Sequence, residues 1–152
     1  MRPAQAADAP DLIAVLHATF ESTWLPNITA AAAVVHQRED RAAAYVSRSG
    51  LEFWVAEEAG RVVGLVHWQG DFVNALHVRP SHARRGIGGR LMDRAEAQIA
   101  ACGFPSARLE TDTFNVASQA FYRSRGYREA ARYPDEEWNS GLTTILLVKT
   151  FG

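Results

Sequence analysis

The stretch VRPSHARRGIGGRLM, residues 78–92, decides which fold this sequence predicts. A β-rich run ends in a polar, basic loop with several glycines, and an amphipathic helix follows at once. Backbone N–H groups at the start of such a helix, together with the positive end of its dipole, form a site for anions. A pyrophosphate would suit this loop, because glycine allows close approach and the arginines add charge-assisted donors. The alternative interpretation is a glycine-rich turn with a solvated basic edge.

Two common phosphate-binding motifs do not fit these residues. The Walker pattern requires Gly-Lys-Ser/Thr, which the stretch lacks. The dinucleotide fingerprint Gly-x-Gly-x-x-Gly matches at Gly86 and Gly88, but Leu91 fills its third glycine position. The loop is therefore interpreted as an anion site of another kind.

Composition limits the class of protein and its partners. The chain has 152 residues, a hydrophobic fraction of 47% and a formal net charge of −1. This predicts one domain, residues 1–152, without the basic field that favours nucleic acid. The lone Cys102 suits a reducing compartment and is expected to be a small buried hydrophobe. No signal peptide or run of ~20 apolar residues is evident, so we expect a cytoplasmic protein without a membrane or nucleic-acid partner. The five scattered histidines predict no metal site.

Hydrophobic periodicity predicts an alternation of strands and helices. Strands are expected at residues 1–5, 53–57, 62–68, 72–78, 107–111, 127–133 and 142–149. Four helical regions are expected: one after Asp8, one over 29–48 in two pieces, one from the glycine-rich loop to about 101, and one over 115–125. The third of these helical regions is expected to bury Ile87, Leu91, Ala95, Ile99 and Cys102. Residues 58–61 are typical of a hairpin turn, and Gly126 of a helix end. The order β-α-α-β-β-β-α-β-α-β-β implies a mixed α/β sheet.

The loop resembles the acetyl-CoA loop of GNAT acetyltransferases, Gln/Arg-x-x-Gly-x-Gly/Ala, which follows a strand ending in Val and Pro, as at Val78 and Pro80. The Gln/Arg position falls on Ala83, so a side-chain contribution is missing there. The resemblance implies that the loop donors to the coenzyme are Arg84, Arg85, Gly86, Ile87, Gly88 and Gly89. It also implies that Leu76, His77 and Val78 present backbone groups to the pantetheine arm.

A second stretch, LETDTFNVASQAFYRSRGYRE at residues 109–129, resembles the second GNAT signature. The matching residues are Asn115, Ala120, Tyr122, Gly126 and Tyr127. Together the two motifs imply a single-domain GNAT fold and an acyltransferase that uses acetyl-CoA as co-substrate, with Asn115 among the cofactor-binding residues. The family also implies a V-shaped split between the strand ending at Val78 and the strand beginning near Ala107, where the thioester lies.

Acyl transfer to an amine requires a base for the amine proton and an acid for the leaving thiolate. The resemblance makes Tyr122 the candidate acid, since it stands seven residues after Asn115; a core tyrosine is the alternative. Glu110 is the candidate base, as in the branch that acetylates ribosomal protein N-termini, provided that partial desolvation raises its basicity. A solvated carboxylate, or one paired with an arginine, is the alternative. Asn74 is expected to help hold a relay water, on the face that Leu76 and Val78 share by alternation.

Two histidines are weaker candidates for catalysis. His77 alternates to the face opposite its neighbours Leu76 and Val78, and His67 is a lone strand histidine, which is typical of a structural role.

The acceptor is left open by the sequence. The residues that either line an acceptor groove or simply anchor the core are Trp24, Trp54, Trp68, Phe72, Tyr133 and Trp138. An acidic run at residues 135–137 either attracts a cationic amine or is a solvated loop. Three functions remain: a small-molecule amine acetyltransferase, a protein N-terminal or lysine acetyltransferase, and a catalytically silent acyl-CoA sensor. A homodimer is also left open.

Overall fold

The computed structural model describes residues 1–24, 41–134 and 143–152. In these ranges the strands are β1 Arg2–Pro3, β2 Trp54–Glu58, β3 Arg61–Gln69, β4 Phe72–Val78, β5 Ser106–Asp112, β6 Arg128–Pro134 and β7 Thr143–Thr150. The helices are α1 Ala9–Thr19, which continues into a π-helical turn at Phe20–Trp24, α2 Arg41–Ser49, α3 Ile87–Ala101 and α4 Val116–Ser124. The first piece of the helical stretch predicted at 29–48 lies outside the described residues.

The strands form one mixed sheet in the order β1-β2-β3-β4-β5-β7-β6. Only β4 and β5 are parallel neighbours within the described ranges, and the remaining pairs are antiparallel. One face packs against α1 and α2 through a cluster that includes Leu12, Val46 and Leu65. The other packs against α3 and α4 through a cluster that includes Leu91 and Tyr122. The predicted mixed α/β sheet is confirmed.

The hairpin between β2 and β3 turns at Ala59 and Gly60, where φ is 52° and 78°. Two successive residues in this left-handed region match the right-handed twist of the flanking strands. The predicted hairpin turn is therefore confirmed, and it pairs β3 with β2.

A β-bulge interrupts β4 at Asn74. His67 pairs with Ala75 while the next residue, Trp68, pairs with Val73, so Asn74 is the extra residue. The bulge resets the alternation of side chains. Val73 and the later Leu76 and Val78 therefore face α3 and α4, whereas Ala75 faces α1 and α2. The Asn74 side chain is exposed at the bulge, where alternation does not assign its face, so its expected part in holding a relay water stays a prediction.

The sheet splits between β4 and β5. These strands pair only at Phe72 with Arg108 and at Val73 with Leu109. Beyond that point β4 continues beside β3 as far as Val78, and β5 continues beside β7. The predicted V-shaped split is confirmed, and it leaves the edges of two central strands facing a gap.

The expected buried face of α3 is largely as predicted. Its residues Ile87, Leu91, Ala95 and Ile99 are buried. Cys102 is exposed, so its predicted burial was wrong. The helix ends at Ala101, and the chain turns at Gly103 with φ of 92°, so the helical stripe does not extend to the cysteine.

No helix of the described ranges is long and apolar enough to cross a membrane. No three His, Cys, Asp or Glu side chains in those same ranges are grouped as metal ligands.

Candidate active site

The glycine-rich loop turns sharply before α3. Arg84 has φ of 63° and Gly86 has φ of 76°, and Gly86 is the residue that caps the helix. The N–H groups of residues 84–86 meet no backbone acceptor among the described residues. The N–H groups of 87–89 lie in the first turn of the helix, where an α-helix provides no acceptor. The loop therefore presents a series of free donors at the positive end of the α3 dipole.

The charges around the loop are exposed. Arg85 lies 3.3 Å from the carboxylate of Glu58, and His82 lies 4.0 Å from the same group. Such exposed pairs contribute little and rearrange easily. Arg84 is exposed and makes no ion pair within the described part of the chain, and Ala83, at the family's Gln/Arg position, is also exposed. Arg84 and Arg85 both stay candidates to supply the charge of the missing side chain.

Gly88 lies where the loop, β4 and α4 meet. A Cβ built on it would lie 3.7 Å from Phe121, 3.8 Å from Val78 and 4.0 Å from Leu76. A Cβ on Gly86 would meet nothing within 4 Å, so that glycine borders open space. The loop is therefore open on its outer side and continuous with the end of β4 on its inner side. This cradle of donors beside an open strand edge fits a pyrophosphate with an extended arm, as in acetyl-CoA.

The edge of β4 that borders the gap is provided by Leu76 and Val78. The N–H of Arg79 donates to Val63 over 2.8 Å, which sets the alternation of the antiparallel ladder between β3 and β4. By that alternation His77 pairs with Leu65, and its carbonyl lies 3.3 Å from a Cβ built on Gly64. The backbone groups of His77 thus point to β3, so the expectation that they face the pantetheine arm was wrong. Those of its two neighbours point to the gap.

Tyr122 lies on α4 in the cluster beneath the gap. Its ring contacts Phe121 at 5.1 Å and Tyr127 at 5.6 Å between centroids, both edge-on. Burial raises the pKa of the phenol above its ordinary value, so the hydroxyl keeps its proton at every physiological pH. The phenol is thus present as a hydrogen-bond donor, while its raised pKa makes it a weaker acid than a free tyrosine.

Asn115 fixes the start of α4. Its side-chain oxygen accepts a hydrogen bond from the N–H of Ser118 at 3.1 Å, which is the usual N-cap contact. The Gln119 side chain also bonds the carbonyl oxygens of Asp112 and Thr113, at 3.1 and 3.0 Å. These contacts set the position of α4, and with it Tyr122, relative to β5. A contact of Asn115 with coenzyme stays a prediction.

Glu110 lies on β5, just past the last residue that pairs with β4. Its carboxylate accepts a hydrogen bond from the Tyr133 hydroxyl. The neighbouring Arg108 is held by Asp71 through two hydrogen bonds of 3.0 Å and does not pair with Glu110. The expected partial desolvation was wrong, because the Glu110 side chain is exposed at the mouth of the gap.

The two catalytic candidates lie on opposite faces of the sheet. Tyr122 belongs to the same cluster as Leu109, and Glu110, the next residue of β5, points the other way. β4 and β5 are unpaired beyond Leu109, so the gap opens between the two faces beside Glu110. A reacting group in the gap would therefore meet a donor on one side and a carboxylate on the other.

Neither histidine is presented as a catalytic base. His67 is buried, and its Nδ1 lies 2.5 Å from the hydroxyl of Tyr45 while its Nε2 lies 3.5 Å from Glu52. Burial lowers the pKa of His67, and burial lowers the pKa of His77 to about 4. Both imidazoles are therefore neutral at physiological pH, and their surroundings are those of structural residues.

The aromatic candidates for an acceptor groove divide between the two faces. Trp54 and Trp68 pack on the side of α3, and the guanidinium of Arg94 lies 4.0 Å from the Trp54 ring centroid. Phe72 is in register with Arg108, and it therefore shares the face of Glu110, as does Tyr133. The Trp24 side chain, Trp138 and the acidic run at 135–137 lie outside the described residues.

Sequence reasoning missed a buried polar network between α3 and β7. Glu96 on α3 is 8% exposed and lies 2.7 Å from the Lys149 amine, while the Tyr127 hydroxyl donates to it over 3.0 Å. Arg125 lies 3.3 Å from the same carboxylate and 2.7 Å from Asp93. The network ties α3 to the end of α4 and to β7. Its only sequence signal was a carboxylate on the apolar side of a helix, four residues after Met92.

The family model described as the acetyltransferase (GNAT) family matches residues 15–127. The chain therefore belongs to that family, and the resemblance of its two motifs is confirmed. Among its relatives, blasticidin-S acetyltransferase of Streptomyces morookaense is 40% identical over 93 residues, 61% of this chain and 66% of that protein. The peptidyl-lysine N-acetyltransferase YiaC of Escherichia coli is 35% identical over 75 residues, 49% of this chain and 48% of that protein. Each match spans less than two thirds of the relative.

Solved structures support the fold independently. The PaiA N-acetyltransferase of Thermoplasma acidophilum, determined in complex with coenzyme A, superposes with a TM-score of 0.76 at 18% identity. The superposition covers 99% of this chain and 97% of that one. At this level of identity the likeness concerns the fold, which in that relative accommodates coenzyme A.

Proposed function

We propose that this protein transfers the acetyl group of acetyl-CoA to a primary amine of a small molecule. The observation that supports the proposal most strongly is the gap between β4 and β5. The glycine-rich start of α3 adjoins it, a buried phenol lies on one face of the sheet, and an exposed carboxylate lies on the other.

The residues that would hold the coenzyme are those of the loop and of the β4 edge. The N–H groups from Arg84 to Gly89 would bind the pyrophosphate, and the backbone groups of Leu76 and Val78 would bind the pantetheine arm. When bound, acetyl-CoA supplies a thioester whose carbonyl carbon an amine can attack.

The chain's own residues then handle the protons. Glu110 accepts the proton that the amine gives up as its nitrogen bonds to the carbonyl carbon, directly or through a water. Tyr122 donates a proton to sulfur as the carbon–sulfur bond breaks. The products are an N-acetylated amine and free coenzyme A thiol. Glu110 then releases its proton to solvent and Tyr122 regains one from solvent, so the net effect is the passage of one proton from nitrogen to sulfur.

The relative that is 40% identical over its aligned stretch is named for a small antibiotic, which favours a small amine as acceptor. The second candidate is a protein lysine or N-terminal amine, which is favoured by the peptidyl-lysine acetyltransferase among the relatives. An acyl-CoA sensor without catalysis is the third, and the presence of both Tyr122 and Glu110 argues against it. We place this activity in a single-domain cytoplasmic enzyme, consistent with the lone Cys102.

A thiol-release assay with acetyl-CoA tests the proposal across three sets of acceptors: small amines, peptides with free N-termini and lysine-containing peptides. Thiol release with small amines, and little with either peptide set, is the expected result. Release with peptides alone would overturn the substrate class while leaving acetyl transfer intact. Binding of acetyl-CoA without release in any set would support the sensor.

A further inference from the structure

The hydrogen bond between Tyr133 and Glu110 joins two strands that are not neighbours. Tyr133 on β6 is in register with Thr144 on β7, and Thr144 is in register with Asp112 on β5. Residues in register point to the same face, and Glu110, two residues before Asp112, shares that face. The Tyr133 side chain therefore crosses the width of β7, roughly 10 Å between β6 and β5, to reach the carboxylate at the gap.

Glu110 is hydrogen-bonded to a neutral group and not to a cation. Arg108, two residues earlier on the same face, is held by Asp71 through two hydrogen bonds of 3.0 Å. A neutral phenol donates to Glu110 instead. An arginine partner would have neutralised the carboxylate, whereas a phenol orients it and leaves it able to attract an ammonium group.

The pair is also accessible. Tyr133 is 39% exposed, and the Glu110 side chain is exposed. Partial burial and then the neighbouring carboxylate raise the pKa of Tyr133 to about 12, so the phenol remains a donor across the working range of pH. One carboxylate oxygen is engaged by the phenol, and the other is left for the incoming amine.

We propose that Tyr133 is a positioning residue that holds the Glu110 carboxylate at the mouth of the gap for the acceptor amine. The proposal rests on the proposed function, since it assumes that Glu110 receives the amine proton. Loss of the hydroxyl leaves Glu110 charged but free to rotate. Because misplacement of a reacting group by 1 Å costs up to about 10²-fold, we expect roughly a 10-fold loss of kcat in Tyr133→Phe.

A double-mutant cycle of Tyr133→Phe and Glu110→Gln tests this inference on the full chain with acetyl-CoA and the best acceptor found in the thiol-release assay. Arg132→Gln is the matched control, since Arg132 adjoins Tyr133 on β6 but pairs with Glu129. We expect Tyr133→Phe to lower kcat with an unchanged KM for acetyl-CoA, and to cause no further loss when Glu110 is already Gln. The control should behave as the wild type.

Three outcomes overturn the inference, and they are distinguishable. Additive losses in the double variant show that Tyr133 does not act through Glu110. A Tyr133→Phe enzyme with wild-type kcat shows that the hydroxyl is not needed. A wild-type kcat in Glu110→Gln shows that Glu110 is not the base, and the positioning role of Tyr133 then fails with it. Acetyl transfer itself still stands in that case, because the variant continues to turn over.

Discussion

Replacement of Gly88 by aspartate should weaken coenzyme binding without harming the fold. A Cβ at this position meets Phe121, Val78 and Leu76 at ordinary van der Waals distances of 3.7 to 4.0 Å. Gly88→Ala is therefore sterically tolerated and serves as the matched control. Alanine inside a helix is also about 0.5–1 kcal/mol more favourable than glycine. A carboxylate in the first turn is favourable to the helix dipole, so the aspartate variant should fold as well.

The loss of coenzyme affinity in Gly88→Asp follows from repulsion between the new carboxylate and the pyrophosphate. Two unit charges about 4 Å apart repel each other by about 1 kcal/mol in bulk water and by about 4 kcal/mol near a protein surface. A pyrophosphate bears two negative charges, so the lower figure gives about 2 kcal/mol, or roughly 30-fold weaker binding. The new carboxylate would also occupy the junction between the loop and the edge of β4.

Isothermal titration calorimetry with coenzyme A measures this effect, and thermal unfolding checks the fold of both variants. We expect near wild-type affinity for Gly88→Ala and at least a 30-fold loss, by the same estimate of charge repulsion, for Gly88→Asp. Unchanged affinity in a folded Gly88→Asp protein would show that the pyrophosphate does not bind at the start of α3.

Three further predictions concern protons. Tyr122→Phe should lower turnover by up to about 10²–10⁴-fold while acetyl-CoA still binds, and wild-type single-turnover rates would refute its role as the acid. Glu110→Gln should move the pH–rate profile upward, because the amine must then lose its proton unaided; an unmoved profile between pH 6 and 9, with chemistry rate-limiting, would contradict this. On acidification, the free energy of unfolding of His77→Gln should fall less than that of the wild type. The pKa of His77 falls from 6.5 to about 4 on folding, so the unfolded chain binds more protons between these values. Wild-type stability should therefore fall by up to about 3 kcal/mol over that window, and an equal fall in the variant by urea unfolding would argue against it.

Local patterns predicted the elements that carry the motifs. The bounds of β4 at 72–78, the cap at Asn115 and the turn at Gly126 were all given by short-range rules, since strand composition, capping and φ preference are decided within a few residues. The prediction of a split between β4 and β5 came from the family resemblance, because nothing in either strand's own sequence specifies where their pairing stops.

The remaining features depend on distant partners. The bulge at Asn74 is fixed by the register of β3 against β4, and alternation counted along β4 alone could not locate it. The exposed state of Glu110 and its bond to Tyr133 arise from packing across β7, which links residues 23 apart in sequence. The burial of Glu96 similarly depends on Lys149 and Tyr127, which approach it only in the folded sheet.

The short junction between β4 and β5 has a consequence for how the molecule holds together. Two residue pairs are the whole of the ladder between the segment β1–β4 and the segment β5–β7 within the described ranges. Cooperative opening in proteins follows such contiguous units. A ligand that fills the gap binds only the arrangement in which both segments are in place, and by mass action it stabilises that arrangement. An acyl donor bound in the gap, as proposed, is therefore expected to stabilise the docking of the two segments.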